Sequence, residues 1–303
     1  MRFAILIPLL LALMGCAGSI EPQAATNTLA NTIRLASWNL EHLAEQNGTG
    51  CRPRSDADYA ELRRHAERLQ ADVVAFQEVE NEQAAARVFP ADQWIILISE
   101  RHGSGRTEPC REAPNLSIRR QAVGFAVRRG IPFRRNPDVR ELGLGDPDLR
   151  WGVDVTLRLP RPIRLLAVHL KSGCNSNRDL RDRDCGVLFN QAPVIEAWID
   201  ARARASEHFA ILGDLNRRTS LGGDAFLASI SDDDPPGGRI VMTDEGRGAR
   251  CVRRFRDFID HIALGIEAAP RLVPDSFVEY TYDGDEARHP SDHCPIRIDV
   301  ATR

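Results

Sequence analysis

The chain has 303 residues, 43% hydrophobic and 27% charged, with 40 basic side chains against 43 acidic ones. That is an ordinary soluble composition with ample apolar material for one sizeable core. A formal charge of −3 argues against a protein that coats long nucleic acid without specificity, since such proteins are normally basic.

In chain order, the first segment is an address. Arg2 gives a positive start, residues 3–13 are apolar but too short to span a bilayer, and Leu13-Met14-Gly15-Cys16 looks like the site at which bacterial lipoprotein precursors are cleaved and lipidated. A plain secretory signal is the alternative, and either one exports the chain. The expected division is therefore a lipoprotein signal peptide at 1–15, a flexible tether at 16–30 and one domain at 31–303. Removing residues 1–15 leaves 39 basic against 43 acidic residues, a charge of −4. The expected location is the bacterial cell envelope, with membrane attachment through lipidated Cys16. Ala17 offers no aspartate retention signal, which mildly favours the outer membrane.

Short apolar runs follow, and polar residues sit at their ends. Residues 33–38 run into Asn39, 72–77 into Glu78 and 163–168 into His169, while 208–212 break at Gly213-Asp214. Runs of this length rich in β-branched and aliphatic side chains predict strands. Asp260 lies inside the apolar segment 255–264, and Asp292 and His293 precede another at 295–300. Residues 58–69 and 187–205 have the apolar spacing of outer helices. Segments 99–116 and 231–248 read as surface insertions. No linker divides 31–303, no repeat is evident, and nothing resembles a second membrane span.

Seven cysteines less a lipidated Cys16 leave six, an even number that suits disulfides in an exported chain, with 15 pairings possible. Cys174 and Cys185 bracket a polar loop just after His169 and are the first expected pair. Cys51 with Cys110 is the second, which leaves Cys251 with Cys294. No Cys-x-x-Cys occurs, so a structural zinc site is not expected. Lys171 is the only lysine. Arginine is suited to bidentate phosphate contacts, and Arg150, Arg217 and Arg218 stand beside the polar motifs. For most of the other arginines, general replacement of lysine is the better explanation.

The polar residues suggest a reaction. Glu78, Asn39 and Asp292 supply the hard oxygen ligands preferred by Mg2+, with Mn2+ or Ca2+ as alternatives. Such an ion polarises a phosphoryl oxygen and offsets transition-state charge. Asp214 can hold and deprotonate a water, and Asn216 can donate to phosphate. His169 and His293 can flank the phosphate as donors or proton carriers, with Asp260 fixing the tautomer of one of them. Each motif alone has a bland reading as a turn, a strand end or solvated surface, and only their joint order is specific. His42, His65, His102, His208, His261 and His289 lack that context and read as surface or structural residues. Asp244, Glu245 and Asp232-Asp233-Asp234 read as solvated loops.

The series Trp38-Asn39, Gln77-Glu78-Val79, His169-Leu170-Lys171-Ser172, Gly213-Asp214-Leu215-Asn216, Ile259-Asp260-His261 and Ser291-Asp292-His293-Cys294-Pro295 resembles the endonuclease/exonuclease/phosphatase superfamily. Deoxyribonucleases, abasic-site endonucleases, sphingomyelinases and inositol-polyphosphate phosphatases belong to it. The likeness covers about residues 31–301 and implies a four-layer α/β sandwich: two packed, mainly antiparallel sheets flanked by helices, with the site at one edge. By position it makes Glu78 the principal metal ligand, helped by Asn39 and Asp292. It gives Asp214 and Asn216 the water and phosphate roles and pairs Asp260 with His293. His169 falls where deoxyribonuclease-like members carry a second histidine, and Arg150 is similar to a phosphate-contacting arginine of that branch. That branch gives the first histidine a carboxylate partner, whereas the best match here is Gln121, so His293 is expected to be the dominant acid–base group.

Fold resemblance alone does not give the substrate. The first expectation is an exported, monomeric, metal-dependent nuclease acting on extracellular DNA or RNA. A lipid or small-molecule phosphodiesterase or phosphatase is the second, although no Trp/Phe-rich membrane-docking loop is visible. A binding lipoprotein that has lost catalysis is the third.

Overall fold

Segments rich in β-branched and aliphatic residues build two six-stranded sheets in the protein, which is described from a computed structural model covering residues 31–176, 179–220 and 222–303. The signal-peptide, tether and Cys16 readings lie outside the described residues. In chain order the elements are β1 (Thr32–Leu43), α1 (Asp56–Leu69), β2 (Val73–Val79), α2 (Glu82–Val88), β3 (Trp94–Ile98), β4 (Ala122–Arg128), β5 (Phe133–Arg135), β6 (Val153–Leu157), β7 (Ile163–His169), α3 (Arg183–Arg204), β8 (Phe209–Asp214), α4 (Ala225–Ser229), β9 (Ile240–Met242), β10 (Asp260–Gly265), β11 (Val278–Glu279) and β12 (Ile296–Ala301). One sheet runs β11-β12-β1-β2-β4-β3 and the other β5-β6-β7-β8-β10-β9.

Each sheet is antiparallel except for one central parallel pair, β1 with β2 and β7 with β8. The carboxyl ends of these pairs position the site. Register sets Asn39 beside Gln77 in one sheet and His169 beside Asp214 in the other. Alternate residues explain why the strands read as unbroken apolar runs: Leu35, Val73, Ala75, Val155 and Leu212 fill the space between the sheets. Their neighbours Ala36, Val74 and Phe76 pack against α1 and α2, and Leu166, Val168 and Ile211 pack against α3. Both faces of the central strands are buried, so the alternation usually seen in a half-exposed strand is lost. The result is the expected four-layer sandwich.

The helices begin earlier than their apolar spacing predicts. The Asp58 carboxylate accepts from the backbone N–H and the hydroxyl of Ser55, at 2.6 and 2.7 Å, which starts α1 at Asp56. Asp182 accepts from the amides of Asp184 and Cys185, so α3 starts at Arg183, in a polar turn with no apolar periodicity. Segment 231–248 is not wholly irregular, because β9 pairs with β10 at the sheet edge. All three expected disulfides are present: Cys51–Cys110, Cys174–Cys185 and Cys251–Cys294. Among the described residues, no helix is long and apolar enough to cross a membrane.

Beneath the site, the buried His65 of α1 meets the Tyr282 ring edge-on at 4.8 Å. Burial, reinforced by the charges of Arg68 and Arg64, holds its imidazole down at about 4. The unfolded chain therefore takes up a proton at higher pH than the folded one, and stability present above the ordinary histidine value is lost as pH falls towards 4. The expected loss from this group between pH 7.5 and pH 5 is about 2 kcal/mol. Urea unfolding of His65→Gln should show a shallower acid loss by that amount. A variant that parallels the native protein across the range would remove His65 as the cause.

Candidate active site

Strand ends from both sheets, with the 291–293 turn, converge at one edge. Glu78 reaches it because β2 bulges between Phe76 and Val79 and Glu78 itself adopts a left-handed φ of 61°. Asp214 reaches it through Gly213, whose φ is 151°. A Cβ at Gly213 would collide with the Val168 carbonyl, so glycine lets β8 approach β7 closely enough to set Asp214 beside His169.

The central contact is Asn39, which is fully buried. Its Nδ2 donates to Glu78 Oε1 at 3.2 Å and to Asp214 Oδ2 at 3.1 Å, joining the two sheets through one amide. Its Oδ1 accepts from the Glu41 N–H at 2.9 Å. In this orientation the Asn39 amide braces the two carboxylates through Nδ2, while Oδ1 is taken by the Glu41 N–H. Asp214 Oδ2 also lies 3.6 Å from His169 Nε2 and 4.0 Å from His293 Nε2, so both imidazoles flank one carboxylate oxygen. His293 Nδ1 is 2.6 Å from Asp260 Oδ2, the expected partnership. The Asn216 N–H donates to Asp214 Oδ1 at 2.7 Å, and its Nδ2 donates to the Leu170 carbonyl at 3.2 Å.

The two histidines differ in electrostatic setting. Burial opposes charge on His293, but Asp260, Asp214 and Asp292 more than reverse this and hold it well above its ordinary value. For His169, burial and the Arg150 guanidinium win over Glu78, and the ring is held well below its ordinary value. Its Nδ1 is buried without a hydrogen-bond partner. Gln121 does not supply that partner: its amide lies 3.4 Å from His42 Nδ1, which corrects the pairing expected from the sequence. Burial would raise Glu78, yet the imidazoles of His169, His42 and His293 and the Asn39 amide hold it at about 2. Asp214 is pushed up to about 7, by burial first and by Asp260 second.

Carboxylates crowd the mouth of the site. Glu41, which sequence reasoning missed, accepts from the Asp292 N–H at 3.0 Å and is pushed up to about 7 by burial and by Asp292. Asp292 is itself raised by burial, with Glu78 and Asp260 adding to this against His293. Like charges held together in this way fit a hard divalent cation. Asp214, Asp260 and His293 also offer ligand atoms within 4.8 Å of one another. His293 Nδ1 engages only Asp260 Oδ2, at 2.6 Å, and Asp260 Oδ1 has no hydrogen-bond partner, so this second set is also open to a cation.

Other residues hold this geometry. His42 lies 3.7 Å from Glu78 Oε2, and its backbone N–H donates to the same oxygen at 3.1 Å, so it is not a mere surface histidine. Arg54, buried, donates to the carbonyls of Leu40, Glu41 and Pro290, which clamps the end of β1 to the Ser291-Asp292-His293 turn. Ser291 Oγ donates to the Asn39 carbonyl at 2.8 Å. Tyr282 links the Trp38 indole to the His293 carbonyl, at 2.8 Å each. Ser291 stands within the Ser-Asp-His-Cys-Pro motif, whereas Arg54 and Tyr282 carry no sequence signal.

Elsewhere the structure sorts the remaining expectations. Arg217 is buried against Asp224 at 2.7 Å and donates to the Cys174 carbonyl, so it is structural and not a phosphate contact. Arg218 stays half-buried, 4.0 Å from Asp257. Arg150 donates to the carbonyls of His169 and Leu170, at the edge of the site. Asp244 is buried and pairs with His261 at 3.1 Å, which removes it from the solvated loops, whereas Glu245 and Asp232-Asp233-Asp234 are exposed.

Solved structures of known proteins share this fold. Humanized D. rerio TDP2 carrying 14 mutations is similar at a TM-score of 0.62, with 16% identity over 90% of this chain and 100% of that one. The human Nocturnin catalytic domain with bound sulfate matches at 0.60, with 14% identity over 90% and 95%. AP endonuclease LMAP from Leishmania major matches at 0.53, with 16% identity over 90% and 89%. At these identities the likeness shows the fold alone. No curated protein matches by sequence. The sequence model of the Endonuclease/Exonuclease/phosphatase family matches residues 36–293, which takes in every motif that builds the site, and the chain belongs to that family.

Proposed function

We propose that the protein is an exported, divalent-metal-dependent phosphodiesterase whose substrate is extracellular DNA or RNA. The observation that carries the reading is the pair of imidazoles within 4.0 Å of one Asp214 oxygen, beside a carboxylate cluster suited to a cation. Asp214, held through Oδ1 by the Asn216 N–H, accepts the proton of an attacking water. His293, oriented through Nδ1 by Asp260, donates from Nε2 to a phosphoryl or leaving oxygen. His169 contributes a neutral imidazole to the opposite side, and Arg150 contributes positive charge. A divalent cation bound by Glu78 and Asp292, Mg2+ in the first instance, would polarise a phosphoryl oxygen and offset charge in the transition state.

Nucleic acid is favoured over lipid by the surface beside His293. A cavity of about 230 Å3 there is lined by Asp260, Asp292, His293, Phe255 and Arg218, among others. Phe255 is 41% exposed, with the Arg254 guanidinium 4.6 Å and that of Arg218 5.8 Å from its ring centroid. An aromatic face set among guanidiniums suits a stacked base. The exposed large apolar side chains among the described residues are Leu144, Leu180 and Phe255, too few and too scattered for a membrane-docking hairpin. Three disulfides support an oxidising compartment, in line with export and anchoring through Cys16.

The test incubates the protein with plasmid DNA, RNA, sphingomyelin, inositol phosphates and bis-p-nitrophenyl phosphate in Mg2+, in Mn2+ or in EDTA. Nucleic-acid cleavage that EDTA stops and Asp214→Ala abolishes is the expected result. Selective turnover of the lipid or the inositol phosphates would replace this reading with the small-molecule one. Silence on all five would leave a binding scaffold.

A further inference from the structure

A second cavity, of about 360 Å3, opens between residues 101–108, residues 118–121 and Asp148. It shares no residue with the cavity beside His293. Gln121 in its wall reaches His42, which in turn lies against Glu78, so the cavity adjoins the site on that flank. Arg106 and Arg119 of its wall are matched by Asp148 at 3.4 Å and Glu80 at 3.0 Å. Arg101 and Arg120 are not. Arg101 is 4% exposed and donates to the Pro147 carbonyl at 2.6 Å. Arg120 donates to the Ser99 carbonyl at 2.5 Å, and its Nε is buried without a hydrogen-bond partner.

Arg150, which also lacks a carboxylate partner among the described residues, donates only to the carbonyls of His169 and Leu170. Burial first, and then the charges of Arg120 and Arg150, push Arg101 down to about 10 against the opposing pull of Asp148 and Asp146. Asp148 and Asp146 lie near Arg101, and Asp138 near Arg120, but neither guanidinium forms an ion pair with them; partly buried cations whose hydrogen bonds go to main-chain carbonyls gain from an arriving anion. Guanidinium groups in such a setting bind phosphate through paired N–H donors. The Cys51–Cys110 disulfide fastens this arginine-bearing loop to the segment that follows β1.

We propose that Arg101 and Arg120, continuing from Arg150, form a phosphate subsite that selects phosphodiesters carrying a second phosphate next to the scissile one. The substrate class is an oligonucleotide or another polyphosphorylated ester, and the inference rests on the phosphodiesterase reading above. The experiment compares a dinucleoside monophosphate with the same compound bearing an added 5′- or 3′-terminal phosphate. In the native enzyme the added phosphate, at one end, should raise kcat/KM about 10- to 100-fold. In Arg101→Gln/Arg120→Gln that ratio should fall to about one, and Arg120→Lys should lie between. The ratio is insensitive to a general loss of turnover, so a partly unfolded variant does not mimic the result.

No gain in the native enzyme, or a gain that survives the double substitution, overturns the subsite. If the native enzyme cleaves no phosphodiester at all, the catalytic reading fails. The subsite is then decided by fluorescence anisotropy with Asp214→Ala: about tenfold tighter binding of the phosphorylated dinucleotide supports it, and equal binding overturns it.

Discussion

His293→Gln should lower kcat on a phosphodiester by about 10^3-fold, while His169→Gln should cost about tenfold less. Both rings lie within 4.0 Å of the same Asp214 oxygen, so proximity alone does not separate them. Orientation does. His293 Nδ1 is fixed by the 2.6 Å contact with Asp260, which commits Nε2 to face the substrate, whereas His169 Nδ1 has no partner and Gln121 serves His42 instead. Asp260→Asn should reproduce most of the His293 loss, and the double variant should be little worse than either single one, because the two residues act as a unit. Steady-state kcat and KM for a dinucleoside monophosphate, whose alkoxide leaving group needs a proton, are the measurements. A loss at His169 equal to or greater than that at His293 would reverse the assignment.

Glu78→Gln should abolish the response to divalent metal. In the native protein, Mg2+ added well above its dissociation constant should raise the melting temperature, because a ligand that binds only the folded state stabilises it by mass action, by about 2.7 kcal/mol at a hundredfold excess. In the variant the melting temperature should be the same with Mg2+ and with EDTA, and kcat should fall about 10^3-fold. Asp292→Asn should weaken both effects without removing them, since Asp292 is the more exposed holder, its side chain 62% accessible against 15% for Glu78. A Glu78→Gln protein still stabilised by Mg2+ to the native extent would place the ion elsewhere, with Asp214, Asp260 and His293 the next set to examine.

Much of this arrangement was legible in the chain because the chemistry is tied to strand ends. A run such as 163–168 followed by histidine carries both its conformation and its address, and the structure ends β7 at His169. The same logic placed Glu78 and Asp214, whereas Asp292 lies ahead of β12 and was marked by its motif. What was hidden depends on single residues that break a regular pattern. β1 does not stop at Asn39: it continues to Leu43 through two left-handed residues, Glu41 and His42, and this turn of the backbone brings both against the site. Nothing in the run Leu40-Glu41-His42 announces it. Arg54 and Tyr282 act across 236 and 244 positions of sequence, and a lone arginine or tyrosine in a loop has no periodicity to reveal a distant partner. Arg217 misled in the opposite direction. Its position after the Gly-Asp-x-Asn motif suggests phosphate, but burial against Asp224 satisfies it within the fold.

The parallel pair at the heart of each sheet has one more consequence. Asn39 and Glu78 are rooted in one sheet and His169, Asp214 and Asp260 in the other, so no single layer holds a working half. Catalytic competence is therefore a gauge of how the two halves of the sandwich are seated on each other. A slippage of an ångström between them would leave every strand intact by circular dichroism and still part the Asn39 amide from Asp214, silencing the enzyme well before it unfolds.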